Sequence, residues 1–320
     1  MAKYLVTGGA GFIGSHIVEE LVKRGESVRV LDNLETGKES NIAPFLPKIE
    51  FIKGDIRDIE TGKNVCSGVD YVLHQAALGS VPRSIDDPKT TNDVNITGTL
   101  NMLLSAREAK VKRFVFASSS SIYGDSKTLP KVETMPPNPL SPYALSKYTG
   151  EAYTIQFFRL YGLETVALRY FNVYGPRQDP NSQYAAVIPR FVSALAAGTR
   201  PVIYGDGKQT RDFTYVGDAV SVNLLACKAS TVACGRPYNI AGGRRISIND
   251  LFYSIRALVM EKRKRIGSIE PLYESSRPGD VRDSLADISE AKKFLKLLSA
   301  VEVKRGLSLT VDGYFSISGR

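Results

Sequence analysis

Thr7-Gly8-Gly9-Ala10-Gly11-Phe12-Ile13-Gly14 is the stretch whose reading decides the fold. It follows a short β-rich run, Lys3–Thr7, and opens a helical stretch, Gly11–Lys23. Gly9, Gly11 and Gly14 satisfy Gly-x-Gly-x-x-Gly, and Gly8, Gly11 and Gly14 satisfy the wider Gly-x-x-Gly-x-x-Gly. Missing side chains let the backbone turn tightly, approach a pyrophosphate and aim helix N–H groups at it. The motif gains its meaning from context: strand, turn, helix, and then Asp32 closing the next strand, Ser27–Asp32. An aspartate there takes the adenosine ribose hydroxyls and repels a 2′-phosphate. No arginine follows it at once, so NAD rather than NADP is the expected cofactor.

Outward from this turn, β-rich runs alternate with helical stretches, the pattern of a parallel sheet covered on both faces. The further strands are expected at Glu50–Lys53, Tyr71–His74, Arg113–Ala117 and Glu164–Arg169, with helices at Asp87–Lys110 and Pro142–Tyr161. Gly54-Asp55-Ile56 follows the third strand, within reach of an adenine. His74-Gln75-Ala76-Ala77 follows the fourth and presents small residues to a cofactor. Beyond about Arg177 the elements shorten. Helices are expected at Ala185–Ala197, Gly217–Ala229, Ser247–Glu261 and Ser289–Lys296, and strands at Val202–Tyr204, Arg211–Tyr215 and Tyr238–Ala241, the last returning to the main sheet. The expected fold is α/β: a Rossmann-type doubly wound parallel sheet over residues 1–176, then a smaller mixed α/β substrate domain over 177–320. The Asp87–Lys110 and Pro142–Tyr161 helices carry apolar residues on more than one face, which suits a homodimer seam.

Composition narrows the class. Hydrophobic residues at 43% and charged residues at 23% are ordinary for a globular enzyme. No apolar run approaches the roughly 20 residues of a membrane span, and the N-terminus enters a strand without a signal-peptide layout. Cys66, Cys227 and Cys234 form no Cys-x-x-Cys pair, and His16 and His74 are the only histidines. Neither a disulfide framework nor a metal site is expected, and the chain reads as a reduced cytoplasmic enzyme. The net charge of +9 includes one dense basic run, Lys262-Arg263-Lys264-Arg265, at a helix C-terminus. Cations there complement the helix dipole, and no groove-reading motif accompanies them, so no nucleic-acid partner is expected.

Ser141-Pro142-Tyr143-Ala144-Leu145-Ser146-Lys147 supplies the chemistry. As a helix opening it sets Tyr143 and Lys147 one turn apart on one face. A tyrosine with its ordinary pKa of about 10 is a poor base at neutral pH. A lysine ammonium beside it favours the phenolate, so Tyr143 can take a proton from a substrate hydroxyl while a hydride leaves the same carbon.

Thr7–Gly14, Asp32-Asn33-Leu34, His74–Ala77, Asn95, Ser118–Gly124, Tyr143–Lys147 and Arg169-Tyr170-Phe171-Asn172 together resemble the extended short-chain dehydrogenase/reductases. Within them the chain is similar to the UDP-hexose 4-epimerases, above all the branch acting on UDP-N-acetylhexosamines. Ala77-Leu78-Gly79-Ser80-Val81-Pro82-Arg83-Ser84 and Arg169–Gly175 with Gln178-Asp179-Pro180 carry that likeness. It runs to about Ala291; Lys296-Leu297-Leu298-Ser299 stands where the family has Gly-Trp-x-Pro.

The resemblance implies a triad of Ser119, Tyr143 and Lys147, with Ser119 bonding the sugar's C4 oxygen. It implies cofactor contacts from Gly8, Gly11, Phe12, Ile13, Gly14, Asp32, Asn33, Gly37, Asp55, Ile56, Gln75, Ala76, Ala77, Ser118 and Lys147, backbone support from Asn95, and Tyr170 and Val173 flanking nicotinamide. For the UDP-sugar it implies Gly79, Ser80 and Ser84 near the sugar, together with Arg83. Asn172, Arg211 and Arg277 fall at the diphosphate, Asp280 at the ribose, and Ala185, Val187 and Tyr204 at the uracil. Bidentate arginines suit a diphosphate.

The sequence also chooses among neighbouring reactions. A 4,6-dehydratase must protonate a leaving C6 hydroxyl, and such enzymes carry a carboxylate before Val-Tyr-Gly. Ser118 to Ile122 contain none, which leaves oxidation at C4, rotation of the 4-ketose and hydride return. Ser284, four residues after Asp280, falls at the family's gate beside the C2 substituent. A serine there leaves space for an N-acetyl group, with UDP-glucose and UDP-galactose as further expected substrates. UDP-glucuronate epimerisation, with Arg83 facing the carboxylate, and net nucleotide-sugar oxidoreduction are the alternatives. A non-catalytic NAD-binding scaffold fits least, because Tyr143 and Lys147 are both kept.

Overall fold

The computed structural model describes residues 1–180, 186–263, 269–276, 281–298 and 300–318. Ala185, Arg277 and Asp280 lie outside these residues. The strands run β1 (Lys3–Thr7), β2 (Ser27–Asp32), β3 (Glu50–Lys53), β4 (Tyr71–His74), β5 (Arg113–Ser119), β6 (Thr165–Tyr170), β7 (Val173–Tyr174), β8 (Val202–Tyr204), β9 (Thr210–Asp212), β10 (Thr214–Tyr215), β11 (Pro237–Ile240), β12 (Arg245–Ser247) and β13 (Leu272–Glu274).

Seven of these make one sheet in the order β11-β6-β5-β4-β1-β2-β3, and all its pairings are parallel. From β1 the chain winds outward to β3, then crosses back to lay β4 on the other side of β1. A crevice opens where the winding reverses, outside the carboxyl ends of β1 and β4. The Gly8–Gly14 turn leaves β1 there and Gln75–Ala77 leaves β4. The topology thus brings the expected cofactor motifs to one place.

Both faces of the sheet are buried, so its strands read as continuous apolar runs. Side chains alternate between two cores. Val6, Val30 and Val115 pack with Ile17, Val18, Leu21, Val220 and Leu224, on the side of the Phe12–Lys23 and Val216–Lys228 helices. Leu5, Leu31, Phe114 and Phe116 pack with Met102, Leu103 and Phe157 on the other. Besides β11, then, the Val216–Lys228 helix and Ala291 and Leu295 of the Ser289–Leu295 helix return from beyond residue 177 to the first core. A separate core of Phe191, Leu195, Phe213, Phe252, Ile255, Leu307 and Val311 joins the Val187–Ala196, Ile248–Lys262 and Val303–Ser318 helices.

Two expected elements are broken. The helix expected over Asp87–Lys110 is three segments: Pro88–Asn92, a π-helical turn Asp93–Gly98, and Thr99–Glu108. The wider turn directs Asn95 inward, where its Oδ1 accepts from Leu78 N–H (2.8 Å) and its Nδ2 donates to Leu78 O and Ser146 Oγ. The strand expected over Arg211–Tyr215 splits at Phe213. Its first part pairs with β12 and its second with β7.

His74 closes β4 wholly buried. Its Nε2 lies 3.1 Å from the Thr99 hydroxyl, which itself donates to Asn95 O, so Nε2–H donates and Nδ1 accepts from Thr7 Oγ1 at 2.8 Å. Burial, with Lys147 adding to it, holds the imidazole neutral down to about 3. The unfolded chain takes up the proton below about 6.5 and the folded chain does not, so stability is full above 6.5 and falls with pH from there towards 3. At pH 5 the loss from this residue is about 2 kcal/mol. Urea unfolding at pH 7 and pH 5 should show that loss, and His74→Asn should flatten it; an unchanged slope in the variant rules the cause out.

Candidate active site

A cleft of about 450 Å3 runs along the carboxyl edge of the sheet, from Asp32 and Asp55 at one end to Tyr143 and Lys147 at the other. Its floor is the glycine turn. Gly8 has φ +67°, and a Cβ there would lie 2.7 Å from Ala76 N; a Cβ on Gly14 would lie 2.1 Å from Gly8 O. The backbone is therefore bare where a pyrophosphate would approach. Asp32 is buried, and each carboxylate oxygen accepts a backbone N–H: Ala10 at 2.9 Å and Leu34 at 2.8 Å. Burial raises its pKa while those donors oppose the rise. At the same end Asn33 Nδ2 donates to Asp55 Oδ2 (3.0 Å), and Arg57 grips Asp55 and lowers its pKa to about 2.

The last residues of β5 meet the Pro142–Tyr161 helix at three successive turns. Ser119 lies beside Tyr143, its Oγ accepting from Ser121 N–H at 3.2 Å and from Ser121 Oγ at 2.9 Å. Ala117 O accepts from Lys147 Nζ at 2.9 Å. Ser118 Oγ donates to Glu151 Oε2 at 2.6 Å. The helix opens where the sequence opens it: Ser141 caps it by accepting from Ala144 N–H, Pro142 takes its first position, and Gly162 ends it left-handed. Tyr143, Lys147 and Glu151, spaced by four, share the face turned to β5.

Burial works against charge on both Tyr143 and Lys147. Burial raises the Tyr143 pKa, and the Ser119 hydroxyl beside it opposes the rise. The Lys147 ammonium is committed to Ala117 O, and burial lowers its own pKa to about 8.

Of the expected cofactor residues, Gly8, Gly11, Phe12, Ile13, Gly14, Asp32, Asn33, Gly37, Asp55, Ile56, Gln75, Ala76, Ala77, Ser118, Tyr143, Lys147 and Tyr170 all line this cleft, as do Gly79 and Ser80. Asn95 stands behind it as backbone support. Tyr170 is fixed by Asn223 and Gln75. Val173 does not flank this cleft; it lines a second one, of about 270 Å3, with Asn172, Val187, Tyr204 and Arg211. Gln178 and Ala186 line both, so the two clefts adjoin. Ser84 does not reach the sugar side. It is wholly buried and its hydroxyl donates to Val81 O, one helical turn back. Ser284 lies beside β9, its N–H donating to Thr210 O at 3.1 Å.

Sequence reading missed Glu35, Asp179 and Arg190 as cleft residues. Asp179 pairs with Lys38 at 2.8 Å, tying the chain after β7 to the loop after β2. Nothing local announces that contact, which joins residues 141 apart in sequence. Glu151 did carry a signal: an acid two turns after Tyr143 on the same buried stripe.

The turn and Asp32 fit a dinucleotide, and the serine–tyrosine–lysine face fits proton transfer beside it. A family profile described as the NAD dependent epimerase/dehydratase family matches residues 4–241, and the chain belongs to that family. Among solved structures it is similar to the UDP-N-acetylglucosamine 4-epimerase of Methanobrevibacter ruminantium M1 in complex with UDP-N-acetylmuramic acid, at 40% identity and TM-score 0.92, over 99% of each chain. It is similar also to the UDP-glucose 4-epimerase of Thermotoga maritima with UDP-glucose, at 39% identity and TM-score 0.90, again over 99% of each. The UDP-glucose 4-epimerase of Mycolicibacterium smegmatis is 38% identical over 312 residues, 96% of this chain and 97% of that protein.

Proposed function

We propose that the chain interconverts C4 epimers of UDP-hexoses, acting on UDP-N-acetylglucosamine and UDP-N-acetylgalactosamine and also on UDP-glucose and UDP-galactose. The observation that carries this reading is the end of β5. Ser119 meets Tyr143, Lys147 is anchored one turn on, and Ser120 and Ser121 bring no carboxylate that an elimination would need.

NAD, held over Gly8–Gly14 and Asp32, would when bound accept the C4 hydride and, once reduced, give it back to the other face of the ketose. Tyr143 takes the proton of the C4 hydroxyl, and Ser119, within reach of both, holds that oxygen in line. Lys147 keeps a donor at the cofactor side and fixes the helix to β5. The 4-ketose turns in the cleft, and Tyr143 returns the proton to the other epimer. The second cleft, with Asn172, Val187, Tyr204 and Arg211, takes the nucleotide. Arg277, Asp280 and Ala185, outside the described residues, are proposed as further contacts to the nucleotide on the family resemblance alone.

The test is direct. The purified protein is incubated with each UDP-hexose separately, UDP-glucuronate included because Arg83 lines the first cleft. Proton NMR then resolves the C4 epimers. Failure to interconvert any of them overturns the reading, and turnover of UDP-glucuronate alone replaces the substrate.

Substrate breadth rests on Ser284. Ser284→Tyr is expected to cut N-acetylhexosamine turnover by about 100-fold, the scale of a steric clash of roughly 3 kcal/mol, with UDP-glucose turnover kept within a few-fold. Equal effects on both substrates, or none, remove the gate from this position.

Two settings complete the proposal. Leu104, Leu145, Tyr153 and Leu160 are exposed on the Thr99–Glu108 and Pro142–Tyr161 helices, which supports pairing with a second copy. Cys66, Cys227 and Cys234 are buried free thiols, which suits a reducing cytoplasm. Among the described residues no helix is long and apolar enough to cross a membrane.

A further inference from the structure

The second cleft holds a cation that the sequence reading left out. Arg190 closes the first turn of the Val187–Ala196 helix and lines the cleft together with Arg211. No aspartate or glutamate is among the described residues lining it. Arg190 is half-buried, and its guanidinium carbon lies 5.6 Å from the centre of the Tyr204 ring. Among the described residues no hydrogen bond or ion pair engages its guanidinium.

Other cations along the clefts are committed to the protein. Lys147 donates to Ala117 O, Lys38 pairs with Asp179, and Arg211 donates to Thr210 O and Arg282 O. Stacking on an aromatic ring holds the flat of a guanidinium but leaves its in-plane N–H donors unused. Those donors form a fork that matches the oxygens of a phosphate. A half-buried arginine with idle donors, in a cleft with a second arginine and no acid, is arranged for an anion.

We propose that Arg190 binds the diphosphate of the substrate directly, as a phosphate ligand beside Arg211, with Tyr204 keeping its plane in position. This rests on the UDP-sugar reading above. It adds a contact from the Val187–Ala196 helix to the one that Arg211 makes from β9. Tyr204 then serves twice, offering one part of its surface to the nucleotide and another to the arginine.

Calorimetric titration of the NAD-loaded protein with UDP, UMP and uridine tests it, on wild type, Arg190→Met and Arg190→Lys. Methionine keeps the apolar stem over Tyr204 and removes the charge. Arg190→Met is expected to weaken UDP and UMP by about 10- to 100-fold, the scale of a lost charge-assisted hydrogen bond. Uridine, which has no phosphate, should change by less than about two-fold, and Arg190→Lys should restore part of the UDP affinity. The ratio of UDP to uridine affinity is unaffected by any loss of folded protein. Equal weakening of uridine and UDP would place Arg190 on the base and overturn the proposal, as would unchanged UDP binding. A wild type that binds no UDP overturns the UDP-sugar reading itself, a different result from a wild type that binds UDP as tightly as its variant.

Discussion

Replacing Tyr143 by phenylalanine is expected to lower C4 epimerisation by about three to five powers of ten while NAD stays bound. The two halves of this expectation come from different parts of the molecule. The ring of Tyr143 packs against the cleft wall, and phenylalanine keeps that packing. The Gly8–Gly14 turn and Asp32 are untouched, so the dinucleotide keeps its seat. What is lost is the hydroxyl beside Ser119 that the proposal sets against the substrate's C4 oxygen. A positioned base is worth about two to four powers of ten, and stabilisation of charge on the reacting oxygen adds to it less than additively. Because burial raises the Tyr143 pKa, the phenolate has to be drawn out in the assembled complex, and activity should climb with pH over the neutral range. Turnover by NMR, with NAD released by acid and measured by absorbance, gives both readings on one sample. Turnover within ten-fold of wild type, with NAD retained, would remove Tyr143 from the chemistry and leave Ser119 to be explained otherwise.

Much of this site was legible because it is local in sequence. The glycine turn, its flanking strand and helix, and Asp32 lie within 30 residues, and backbone sterics set their arrangement almost unaided. The bounds of the Pro142–Tyr161 helix followed from a serine cap, a proline at the first position and a glycine at the end. Contacts between distant segments left fainter marks. The π turn at Asp93–Gly98 exists because Asn95 must reach Leu78, and because Gly98 lies against Ile56, where a Cβ would come within 2.6 Å. No hydrophobic period encodes such a requirement. Ser84 was expected near the sugar, yet its helix turns it inward to Val81 O. Lys147 was expected on the face of Tyr143, and nothing local announces that its ammonium also donates to Ala117 O. Spacing along a helix says which side chains share a face and leaves open which partner across the interface each one takes.

Glu151 shows what that partner can decide, and Glu151→Ala is expected to destabilise the fold by about 3–5 kcal/mol. Its carboxylate is 1% exposed and meets the equally buried Arg169 of β6 by two bonds, Nη2 to Oε1 at 2.6 Å and Nε to Oε2 at 2.9 Å. Ser118 Oγ donates to the same carboxylate. On its other edge Arg169 donates to the Tyr123 hydroxyl (2.7 Å) and Glu133 O, and Tyr123 in turn donates to Asn239 of β11. One acid therefore ties the catalytic helix to β5, β6 and, through Tyr123, β11. Burial works against charge on Arg169, and Glu151 outweighs it. Removing the acid strands a guanidinium in the interior, which is where the cost arises, since the pair itself repays little beyond its own desolvation. The double variant Glu151→Leu with Arg169→Leu should consequently be less unstable than Glu151→Ala alone. For the single variant the midpoint of thermal unfolding should fall by roughly 10 °C. Because Ser118 lines the cofactor cleft and neighbours Ser119, the same variant should also bind NAD more weakly where it remains folded. A loss under about 1 kcal/mol, or a double variant worse than the single, would mean that the helix keeps its register without this pair.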